Sequence, residues 1–77
     1  MSEEKILKAN ESKQIIENPI FVEAVNEIRS ELANEWLNSD QQDSNCRENV
    51  YRKRLMLETV LMRLQSVIET GKLATKK

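Results

Sequence analysis

A chain of 77 residues with 12 basic and 13 acidic side chains has room for one domain and almost no net charge. So short a chain reaches ordinary stability only through tight helix packing, a metal, disulfides or a partner. A single cysteine, Cys46, excludes an intrachain disulfide, and the lack of histidine and of any CxxC pair removes the ligand set of a structural zinc site.

No 18 apolar residues run together, so no membrane span is expected. The N-terminal apolar pair Ile6 and Leu7 is isolated among Lys5, Lys8 and Glu11, unlike a signal peptide. The expected setting is the cytoplasm, or the host cytoplasm for a viral protein. Charge is uneven: residues 1–38 carry eight acids and four bases, residues 39–77 five acids and eight bases. That asymmetry suits attraction between halves, between copies or toward a phosphate backbone.

In chain order, residues 1–4 are expected to fray, and a short helix is predicted over about 6–17. Its apolar residues Ile6, Leu7, Ile15 and Ile16 point in several directions, although Ile6, Ala9 and Ile16 share a side. Asn18 before Pro19 fits an N-cap followed by a first helical position, since proline there forfeits only an N–H that lacks a partner. The second helix is predicted over about 18–37. Phe21, Val25, Ile28, Leu32 and Trp36 form one stripe along it, the pattern of a single buried face. Residues 38–45, all polar turn formers, predict the loop. Asn45 with Glu48 fits a capping box opening a last helix over about 46–70, with Gly71 as its left-handed stop. Leu73 is expected to fold back onto Ile68 or Val67, and Lys76 and Lys77 to form a frayed tail. The fold class is therefore all-α: an antiparallel helical hairpin with an additional short N-terminal helix, completed as a bundle by self-association.

The last helix carries the functional clue. Val50, Leu57, Leu61, Leu64 and Ile68 share one face, which Met56, Val60 and Val67 widen. Tyr51, Leu55 and Met62 form a second stripe about 100–140° from Val50. One helical mate covers one stripe, so the second is met by the first helix or by another molecule. The oligomer interface is accordingly assigned to Tyr51, Leu55, Met62, Val50, Leu57 and Leu61, with a dimer favoured.

Chemistry finds little support. General acid–base catalysis needs titrating groups in a cleft, and Glu23 and Glu27, one turn apart, read as part of a solvated acidic ladder continued by Glu31 and Glu35. Di-metal bundles add Glu-x-x-His ligands that this chain lacks. Cys46 has no base beside it beyond Arg47. No residue is assigned to catalysis, a cofactor or a metal, and the chain is not expected to be an enzyme. Arg47, Arg52, Lys53, Arg54 and Arg63 are the candidate nucleic-acid contacts, because basic side chains add salt-dependent affinity for phosphates. Yet helical spacing scatters them, where a recognition helix gathers its contacts on one surface.

Two stretches, Ile-Ile-Glu-Asn-Pro-Ile-Phe at 15–21 leading to Trp36, and 47–74 ending Glu-Thr-Gly-Lys-Leu-Ala, resemble small helical proteins encoded in tailed-bacteriophage genomes, often near DNA-packaging and head genes. The resemblance implies a viral origin and a role in packaging, assembly or binding of a host protein, and carries no catalytic residues. The leading expectation is a non-catalytic helical protein–protein interaction and oligomerisation module. The alternatives are a packaging or architectural protein that binds duplex DNA, and a small inhibitor that presents the acidic side of helix 2 to a host protein.

Overall fold

The structure, a computed structural model, describes residues 2–75 as three helices: α1 (Ser2–Glu17), α2 (Pro19–Asn38) and α3 (Ser44–Thr75), with no strand among them. The break between α1 and α2 falls where the sequence puts it. Asn18 is extended (φ −63°, ψ 125°), and its side-chain oxygen accepts from the N–H groups of Ile20 and Phe21 at 2.9 and 3.1 Å. The Pro19 ring disfavours helical geometry at the preceding residue, so the chain must bend there.

Several boundaries differ from expectation. α1 begins at Ser2 rather than Ile6; Glu3 and Glu4 in its first turn oppose the helix dipole favourably, and Glu4 pairs with Lys8 at 3.2 Å. α2 continues to Asn38, leaving residues 39–43 as the loop. The last helix is capped by Asp43, whose carboxylate accepts from the Cys46 N–H at 3.1 Å, and not by Asn45. Glu48, expected in a capping box, instead accepts from Arg52 at 2.6 Å. The expected stop at Gly71 is also corrected. α3 runs through it to Thr75, no glycine has positive φ, and Leu73 is exposed rather than folded back. Lys76 and Lys77, expected to fray, lie outside the described residues.

Tertiary packing explains Gly71. α1 and α2 run one after the other along α3, both antiparallel to it: α1 beside its C-terminal half, α2 beside its N-terminal half. At the α1 crossing a Cβ on Gly71 would overlap the Cβ of Ala9 and sit 3.2 Å from the Lys5 carbonyl oxygen. Nearby, buried Ser12 donates to the Leu64 carbonyl at 2.8 Å. Small side chains let the two backbones approach closely, which offsets the roughly 1 kcal/mol that glycine costs inside a helix.

Among the described residues only Ala9, Val25, Leu32, Val50 and Ile68 form a buried apolar core. Leu57, Leu61 and Leu64 are half-buried, and Trp36, expected to complete the α2 stripe, is 42% exposed. The molecule measures 54 × 23 × 14 Å, a ribbon two helices wide and one helix thick. Its radius of gyration of 16.7 Å compares with about 11.5 Å for a compact chain of this length.

Candidate interaction surface

A single layer of helices has two broad faces, and side chains flanking the α2–α3 seam stay uncovered on both. The first face centres on a groove of about 530 Å³ between α2 and α3. Leu32, Ala33, Trp36 and Leu37 line it from α2, and Val50 and Tyr51 from α3. Arg29, Arg54 and Glu58 complete its polar part. The Arg29 guanidinium donates to both Glu58 carboxylate oxygens at 3.0–3.3 Å. At the loop end the Arg47 guanidinium lies 4.8 Å from the centre of the Trp36 ring, and its Nε donates to Ser39 Oγ at 3.0 Å. Ser39 Oγ in turn donates to the Trp36 carbonyl at 2.6 Å. This cation–π stack and hydrogen-bond chain hold the indole in place while one side stays open to solvent.

Helical spacing puts Leu55 and Met62 on the same side of α3 as Tyr51. All three are uncovered, at 53, 70 and 60% exposure respectively. α1 therefore does not meet this stripe; its contacts lie at Leu64 and Gly71, on another side of the helix. The six residues assigned to an interface thus separate. Tyr51, Leu55 and Met62 are on the open surface, whereas Val50 is buried and Leu57 and Leu61 half-buried in the intramolecular seam. Leu37, the most exposed large apolar side chain among the described residues at 78%, adds to the open face from α2. Its spacing of four from Ala33, beside the Trp36 stripe, was the available sequence signal.

The opposite face carries exposed Ile28, Met56 and Val60, crossed by an ion pair between Lys53 and Glu35 at 3.6 Å. The basic side chains are dispersed. Arg47 is engaged with Trp36 and Ser39, Arg52 with Glu48 and Lys53 with Glu35. Arg54 lines the groove, Arg63 points to solvent, and neither makes an ion pair with another described residue. They do not gather on one surface. Glu23, Glu27 and Glu31, with Glu17, border a shallow open depression on α2. Cys46 is half-buried in the first turn of α3. Among the described residues no helix is long and apolar enough to cross a membrane. Comparison of the chain with protein-family models, curated proteins and solved structures gives no match.

Proposed function

We propose that this chain is a non-catalytic helical interaction module that works by packing its open α2–α3 surface against another helical layer, in the first place that of further copies of itself. One observation carries the reading: the ribbon is a single helix thick, 14 Å in its shortest dimension. Stable domains bury their apolar stripes between at least two layers, and here Trp36, Leu37, Tyr51, Leu55 and Met62 have no second layer over them. The resemblance to small phage-encoded helical proteins supports virion assembly or DNA packaging as the setting for such a module. Sedimentation from low micromolar to several hundred micromolar protein tests the proposal. The mass should rise to that of a dimer or higher oligomer, and a monomer throughout the range rejects self-association.

A further inference from the structure

We propose that a second copy seats on the Trp36–Tyr51 face in antiparallel, two-fold fashion, with the axis passing between Leu55 and Glu58, at the height of residues 56–57 along α3. Tyr51 of each copy then meets the partner subunit's Met62, and Arg54 meets the partner subunit's Glu58. The inference rests on the self-association reading above and specifies its face, direction and register.

Area supports a copy-sized occupant. The chain exposes 6427 Å², whereas a compact monomer of this mass exposes about 4,900 Å². The difference of about 1,500 Å² per chain matches what each partner buries in an obligate homodimer, about 1,000–2,500 Å². A smaller ligand in the groove leaves most of that surface in water.

Charge chooses the direction. Along this side of α3 the order is Tyr51, Arg54, Leu55, Glu58, Met62. A parallel two-fold sets each residue beside its own copy, so that Arg54 faces Arg54 and Glu58 faces Glu58. An antiparallel two-fold pairs residues equidistant from the axis. With the axis between Leu55 and Glu58, at the height of residues 56–57, Arg54 falls opposite the partner subunit's Glu58, and the same placement brings Tyr51 against the partner subunit's Met62. Thioether–aromatic contact is favourable in such a pairing. Arg54 is exposed and without an ion pair among the described residues, and the Glu58 carboxylate, held by Arg29 alone, keeps acceptor capacity for a second guanidinium.

Cysteine trapping tests the register. In a Cys46→Ser background, Tyr51→Cys combined with Met62→Cys should yield a covalent dimer under mild oxidation, and neither single cysteine should. Positions 51 and 62 lie about 16 Å apart on one helix, far beyond disulfide reach of about 7 Å, so the bond must join two chains. As a variant that leaves the fold intact, Arg54→Glu should keep full helicity and weaken dimerisation about tenfold by placing like charges across the axis. Equal cross-linking by the single cysteines, no cross-linking in a double variant that still sediments as a dimer, or unchanged affinity in Arg54→Glu overturns this arrangement while self-association stands. A wild-type chain that stays monomeric at several hundred micromolar overturns both. A monomer that instead binds an unrelated helical protein through this face also rejects the second copy as occupant.

Discussion

The two halves of α3 are covered in opposite ways. Toward its C-terminus, α1 approaches through Ala9, Ser12 and Gly71, residues so small that the backbones nearly touch and a cross-helix hydrogen bond forms. Toward its N-terminus, α2 meets it through Val25, Leu32 and Val50, with Trp36 and Tyr51 standing exposed at the edge. The close crossing leaves no space for a partner to use. The wider one, propped apart by larger side chains, leaves a groove and an uncovered apolar row. Tight packing and exposed apolar surface thus concentrate on different parts of one helix, and side-chain size decides which is which.

The contrast can be broken most strongly at the close crossing. Gly71→Val puts side-chain atoms where Ala9 and the Lys5 carbonyl already are. It should cost about 3 kcal/mol, the upper range for overpacking. Hydrogen exchange should show α1 losing protection while α2 and the facing half of α3 keep most of theirs; uniform loss would mean the two halves are one cooperative unit. Leu32→Ala, in the wider seam, should cost about 2 kcal/mol in denaturant melts, the low end for a buried leucine, because the neighbouring groove already leaves the site loosely packed. A loss much above that would show the seam to be as dense as the α1 crossing. Smallest of all, Arg29→Gln removes the fork to Glu58, a pair about half exposed. Screening by solvent limits its contribution to about 0.5 kcal/mol, and added salt should erase the difference between variant and wild type in thermal melts.

Much of this molecule was legible locally. Asn18–Pro19 marked the α1–α2 break because a cap and a proline act within one turn, independent of what lies elsewhere. The α2 stripe located Val25 and Leu32, and the α3 periodicity separated Val50 and Ile68 from Tyr51, Leu55 and Met62. The start of α3 was misplaced because Asp43, Ser44 and Asn45 are all competent caps, and only the folded chain chooses among them. α1 was underestimated for a related reason: its buried contacts are Ala9 and Ser12, while pattern reading looks for large apolar residues. Leu37 lies beside the buried stripe rather than on it, so periodicity does not mark it.

By itself, then, the sequence determined that this is a helical protein with a hairpin at its heart and more apolar helix surface than two packed helices can hide. Those properties follow from periodicity, capping and composition, which act over a few residues. Tertiary structure alone decided that Gly71 sits inside a helix instead of ending one, and that α1 lies over Leu64 and Gly71 and leaves Tyr51, Leu55 and Met62 open. Both outcomes depend on how closely distant backbones approach, a distance set by side-chain volume at the crossing and carried by no local pattern.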